Sequence, residues 1–219
     1  MAEQPRKPLV VSLRGPAASS LPAATGPRPA PPVMLTAGRY HLRNLTAADA
    51  TPRFLAWLNS QEMLRGLNLT ALNFTLEQLQ GFLTGFDNLH GYLIGIFDSE
   101  SDLLVGFYNI EVNLTHKVAL ISTGIGEKGF EGKGALWATN DVLLDYLYLE
   151  RDIDKVSARI LARNHRMLFN FKSSPSFYFE ARLKDECLAP NGDRVDILVF
   201  AALKPVHLAR TRPGGTATA

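Results

Sequence analysis

A single cysteine, Cys187, is all the thiol chemistry this chain offers, so an intrachain disulfide, a Cys-x-x-Cys redox pair and a cysteine-rich zinc site are all excluded. That scarcity suits a reducing compartment, and the sequence reads as cytoplasmic. Histidine is scarce as well: there are five, none at ligand spacing, so no metal is expected. Neither sign of charge dominates, with 23 Lys and Arg against 21 Asp and Glu and a net charge of +2, which leaves no global field for nucleic acid or an anionic membrane. Long apolar runs are missing too. None approaches the roughly 18 residues needed to cross a bilayer, and residues 9–13 are too few for a secretory signal.

What is present is a globular composition, 46% hydrophobic over 219 residues, enough for one domain with appendages. Residues 1–33 hold 8 of the 13 prolines among Ala, Ser and Gly, so residues 1–34 are predicted to be a disordered tail. Several bases accompany one acid there, Glu3, but the proline density speaks against the amphipathic helix of a transit peptide. The folded domain is placed at 35–204, and residues 205–219, rich in Pro, Gly and Thr, are predicted to be a second disordered tail.

Within the domain, residues 40–45 alternate as a strand, and Thr46 with Asp49 has the spacing of a capping box opening a helix through Ser60. Residues 59–74 then connect to a second helix, opened by Thr75 and Gln78. Three strands at 90–97, 103–113 and 117–126, joined by short polar turns, predict an antiparallel meander. A glycine-rich loop leads into a helix over 135–150, whose Leu136, Leu143, Tyr146 and Leu147 share one face. A strand at 155–162, a short helix at 164–172 and two strands at 177–187 and 194–203 complete the order βααβββαβαββ. This is an α/β chain with a mixed, twisted sheet in three layers. Exposed edge strands at the C-terminal hairpin would permit a homodimer.

The strand, glycine-rich loop and helix around Glu131, Gly132, Lys133, Gly134 and Ala135 form a recipe for an anion: unpaired N–H groups converge at the helix start and the dipole favours negative charge. The Walker pattern fails, because Glu127 falls at its first glycine and Gly134 at its Ser/Thr. Gly124, Gly126 and Gly129 spell G-x-G-x-x-G, yet they follow an antiparallel meander and no acid ends the next strand, so a dinucleotide fold is disfavoured.

The order of elements over residues 40–203, with this loop at the strand-to-helix junction, resembles the GCN5-related N-acetyltransferases, which carry Arg/Gln-x-x-Gly-x-Gly/Ala there. The stretch Trp57-Leu58-Asn59-Ser60-Gln61-Glu62, the Gly132-Lys133-Gly134 loop and Asn164 are most similar to the branch that modifies protein N-termini and amino-sugar nucleotides. The resemblance implies that acetyl-CoA enters between the strand ending at Ile125 and the strand beginning at Lys155. Ile125 and Gly126 would lie along pantetheine, and the amides from Glu131 to Leu136 would hold the pyrophosphate. Asn164 would hydrogen-bond the cofactor, or cap its helix, or do both. It also implies acetyl transfer by direct attack of an amine, whether a small metabolite, an amino sugar or a protein N-terminus.

Several positions depart from that pattern. Glu131 replaces the usual Arg or Gln, and Leu136 the usual Gly or Ala. Phe171 stands where many relatives carry a tyrosine that protonates the leaving thiolate, with Tyr178 or Tyr108 as possible substitutes, and Leu120 stands where many relatives of this branch carry an acid. Glu111 is the candidate general base, with His116 behind it, and Ser122 or Thr123 could contact substrate or order a water. Phe171 and Leu120 keep a second reading open, an acyl-CoA-binding or regulatory module that has lost catalysis.

Overall fold

The computed structural model describes residues 31–69 and 73–212. The expected tails at 1–30 and 213–219 lie outside these residues. One eight-stranded sheet carries the fold: β1 (Met34–Ala37), β2 (Tyr40–Asn44), β3 (Gly91–Asp98), β4 (Leu103–Asn113), β5 (Val118–Ile125), β6 (Lys155–Leu161), β7 (Tyr178–Leu188) and β8 (Arg194–Leu203). Their spatial order is β1-β2-β3-β4-β5-β6-β8-β7, with every pair antiparallel except β5 and β6. The mixed α/β fold expected from the pattern is therefore present, and so is the meander β3-β4-β5.

Among the described residues six α-helices cover the sheet: α1 (Pro52–Leu58), α2 (Gln61–Leu67), α3 (Leu76–Leu83), α4 (Ala135–Asp145), α5 (His165–Lys172) and α6 (Lys204–Thr211). One core buries Phe54, Trp57, Leu79 and Leu83 against Leu93 and Phe107 of the sheet. A larger one buries Leu136, Leu143, Leu147, Leu168 and Phe171 against Tyr108, Ile110 and Ile121. Because side chains alternate across a strand, neighbours such as Phe107 and Tyr108 serve opposite cores, which makes the three layers.

Four local readings are corrected. Thr46 and Asp49 do form a capping box, but it closes only a single 3₁₀ turn at Ala47–Asp49. Pro52 lacks an N–H and forces Thr51 into extended backbone, so α1 starts afresh with Thr51 as its cap. Residues 59–74 are not a plain connector, because Ser60 accepts from the Met63 amide at 3.2 Å and opens α2. Met34–Ala37 is a strand, and Val33 before it is buried with its N–H on Asn44 Oδ1 at 2.6 Å, so the domain begins before residue 35. Residues 204–211 form α6 instead of joining a disordered tail: Pro205 sits in the first turn, where its fixed φ suits a helix. His207 of α6 is buried against α4, with Nε2 3.1 Å from Asp145 Oδ1.

The feature that positions the site lies between β5 and β6. Their pairing covers only Val118 to Ile121 against Lys155 to Ala158, although β5 runs on to Ile125 and β6 to Leu161. Beyond Ile121, β5 follows β4 as far as the pair Gly106 and Ile125, while β6 follows β8 as far as Leu161 and Ile197. The sheet splits there, and α2, α4 and α5 close around the gap.

Candidate functional site

A cleft of about 960 Å³ opens at this split, walled by α1 and α2, the end of β5, the loop 127–134, the start of α4 and one side of α5. It is large enough for a long ligand and combines apolar walls with a few polar groups. Gly126 shapes one wall, because a Cβ there would lie 2.1 Å from Trp57 Cδ2; the indole packs directly on the backbone. Gly132 and Gly134 bend the loop with φ of +69° and +75°, a conformation that suits glycine, and each faces open space.

The loop presents donors, though not the full set expected. Glu131 N–H donates to Lys128 O and Lys133 N–H to Phe130 O, so both are used within turns. The amides of Gly132, Gly134, Ala135, Leu136 and Trp137 have no acceptor among the described residues, and Gly134 caps α4 with no side chain. Trp137 thus joins the group and Glu131 leaves it. Five free N–H groups at a helix start form a cradle that suits an anion. Lys133 does not line the cleft; its Nζ lies 5.5 Å from the Phe130 ring centroid instead.

The two unusual loop residues find explanations in packing. Leu136 is 4% exposed and turns its side chain into the core, so its bulk leaves the amide free. Glu131 borders the cleft, and Arg166 Nη1 stands 3.2 Å from Oε1 while also meeting Glu62 of α2 at 2.8 Å. One guanidinium therefore spans two carboxylates at the mouth. Glu127 is likewise met by Arg53 at 3.6 Å.

Asn164 does cap α5: its Oδ1 accepts from Met167 N–H at 3.2 Å. Its Nδ2 donates to Gly66 O at 3.2 Å, tying α5 to α2 across the cleft, whose lining it shares with Ile125 and Gly126. Below it, a smaller hollow between β5 and β6 is lined by Ser122, Met167 and Phe171. Ser122 Oγ has no partner among the described residues, whereas Thr123 Oγ1 donates to Phe107 O at 2.8 Å. Phe171 stacks edge-on with Phe177 at 4.8 Å between centroids and carries no hydroxyl to the gap.

Neither tyrosine considered as a substitute reaches the cleft. Tyr108 is fully buried on the α4 side, its hydroxyl 2.8 Å from Thr139 Oγ1 and 3.0 Å from Asn140 Oδ1. Burial pushes its phenol well above the ordinary value, which the Thr139 bond only partly opposes. Tyr178 opens β7 opposite Ala201, is 40% exposed and lines no part of the cleft. Glu111 also lies outside the lining, on β4 between Gly91 and Leu120, facing the α1–α3 side. It is solvent-accessible, yet the surrounding protein desolvates it and raises its carboxyl above the usual range. The sequence did not single out Arg53, Glu62, Glu127 or Arg166 as site residues. Only Glu62, inside the motif stretch, carried any signal.

Residues 39–168 match the family described as an acetyltransferase (GNAT) domain. Among solved structures, the chain is similar to spermidine N-acetyltransferase from Vibrio cholerae in complex with CoA and spermine, at 18% identity and a TM-score of 0.69, over 78% of this chain and 98% of that one. It is similar to ribosomal-protein-S5-alanine acetyltransferase from Vibrio fischeri at 16% identity and a TM-score of 0.67, over 78% and 96%. A GNAT-family acetyltransferase from Bacillus anthracis follows at 14% and 0.66, over 79% and 99%. At such identities the likeness is one of fold. A comparison with curated proteins finds no match.

Proposed function

Because the chain belongs to the GNAT acetyltransferase family, we propose that it moves the acetyl group of acetyl-CoA onto a primary amine by direct attack, the amine being a small metabolite, an amino sugar or a protein N-terminus. The observation that carries this reading is the set of five acceptorless amides at Gly132, Gly134 and the first turn of α4, opening into the cleft at the split between β5 and β6. The cradle and the glycine backbone fit a pyrophosphate with a long thin arm. When bound, the thioester supplies an activated acyl group.

The remaining work falls to this chain's residues. Ile125 and Gly126 line the arm, and the Trp57 face holds it from the other side. On the β6 side, alternate N–H groups of residues 122–125 lack a strand partner and can donate to a carbonyl oxygen. The amine must lose its proton before attack. We assign this to Glu111, acting through water that the Ser122 hydroxyl helps to order. No tyrosine lines the cleft among the described residues, so the departing thiolate takes its proton from water.

The test is release of free thiol from acetyl-CoA with spermidine, an amino sugar and an alanine-ended peptide as acceptors, beside calorimetric titration with acetyl-CoA. Binding with thiol release from any one amine supports the reading and identifies the acceptor class. Phe171 favours the second reading, a module that binds acyl-CoA without turnover; binding with no release from any amine would select it. No binding would defeat both.

A further inference from the structure

Nine polar or charged residues are buried among the described residues, and eight of them carry side-chain hydrogen bonds. The exception is Asn109 of β4, 4% exposed, whose side-chain amide has no partner among the described residues. Burying an amide without hydrogen bonds is unfavourable, so its place in the sheet asks for a partner from elsewhere. Asn109 lies opposite Leu93 on β3 and Ser122 on β5, with Phe107 and Glu111 two residues away on the same face of β4. Ser122 is the first residue of β5 past its last pair with β6, Ile121 with Ala158, so it stands at the split, and its hydroxyl too is without a partner among the described residues. α2 covers the next residue of that face, Gly124, where a Cβ would lie 3.0 Å from Met63 Sδ. Glu111 is exposed and Ser122 partly so, which puts Asn109 at the inner end of a trough that solvent enters.

We propose that Asn109 binds the acceptor: Oδ1 takes an N–H of the amine, and Nδ2 donates to an oxygen on the carbon next to the amine-bearing one. The assignment deepens the acetyl-transfer reading of the cleft and rests on it. A neutral amide oxygen holds the amine without favouring its charged form, which has no lone pair for attack. A primary amide is satisfied only by a partner that brings both a donor and an acceptor. An amino sugar does so with a neighbouring hydroxyl, and a peptide N-terminus with its first carbonyl. Spermidine carries no oxygen and would leave Nδ2 unpaired, a loss to which buried polar sites are sensitive. As a polycation it would also meet a single carboxylate here, because Glu111 is the only acid on β4, β5 and β6.

The experiment follows thiol release from acetyl-CoA with glucosamine, an alanine-ended peptide and spermidine, for the full chain and for Asn109→Leu, a change that keeps the volume and removes the amide. The leucine variant should bind acetyl-CoA as before, since Asn109 does not line the cleft, and should resist denaturant at least as well, the unpaired amide being gone. Its kcat/KM for the better of the two oxygen-bearing amines should fall about tenfold, chiefly through KM. Asn109→Asp would hold the amine as its ammonium and should move the acid limb of the rate to higher pH. Whichever of glucosamine and the peptide turns over faster names the source of the amine. A leucine variant of lower stability would give Asn109 a structural partner and overturn the proposal. Unchanged acceptor use by that variant, spermidine as the best acceptor of the unaltered chain, or cofactor binding with no turnover of any amine would overturn it equally. Failure of acetyl-CoA to bind the unaltered chain would instead remove the acetyl-transfer reading, and the assignment with it.

Discussion

Glu131 puts a negative charge on a loop whose free amides suit an anion, and Arg166, which is shared with Glu62, offsets only part of it. Both side chains are partly solvated, so an unopposed carboxylate near a pyrophosphate would cost only about 1 kcal/mol. Glu131→Gln should therefore tighten acetyl-CoA binding severalfold at low salt, with the gain shrinking at high salt; calorimetry in the two buffers reads it. An unchanged affinity would mean that Arg166 already cancels the charge. Glu111 yields a second residue-scale prediction. Desolvation raises its carboxyl above the ordinary value, so as pH falls this group protonates earlier than an exposed glutamate and the rate should drop on that acid limb. Glu111→Gln should flatten the limb and slow turnover by about 10²-fold, with cofactor affinity unchanged. A mutant of full activity and unaltered pH profile would leave the amine to be deprotonated elsewhere.

At the scale of elements, what was legible followed local signals. The Thr75–Gln78 box does open α3, with both reciprocal bonds formed, and the alternating runs became β3, β4 and β5 within a residue or two. Elements secured by distant partners were not legible. Asn68 ends α2 in the left-handed region and donates to Leu188 O, 120 residues away, while the short α6 is held by contacts to α4. Asp141 accepts from Ser176 Oγ and Arg210, each at 2.6 Å, and Asp145 faces His207 and Arg212. Removing residues 204–212 should lower stability by about 2–4 kcal/mol, read by denaturant unfolding. Burial works upward on the Asp141 carboxyl, but the Arg210 and Ser176 bonds outweigh it and hold the group below its ordinary value. A depressed carboxyl contributes fully above its unfolded value near 3.9 and loses that contribution as pH falls through the lower folded one. The gap between full-length and shortened chains should hold from neutral pH down to about pH 4 and narrow only below it.

Over the whole molecule, the sheet is two half-sheets joined by four residue pairs between β5 and β6. The glycine loop was legible because its amides need only local backbone, and its position after the meander told the loop types apart. The charges that complete the mouth were not, since Arg166 and Glu62 stand about a hundred positions apart and meet only when the halves close. A ligand in the cleft touches both halves: the loop and α4 belong to the β5 side, Asn164 and Phe169 to the β6 side, and Asn164 also ties to α2. Occupancy should accordingly stabilise the molecule as a unit. Acetyl-CoA at a hundred times its dissociation constant should add about 2.7 kcal/mol. In a domain of this size that corresponds to a rise in Tm of roughly 5–10 °C, with a single transition kept, and NAD at the same concentration should give none. A shift confined to one of two resolved transitions would mean that only one half holds the ligand, and would place the binding site away from the split.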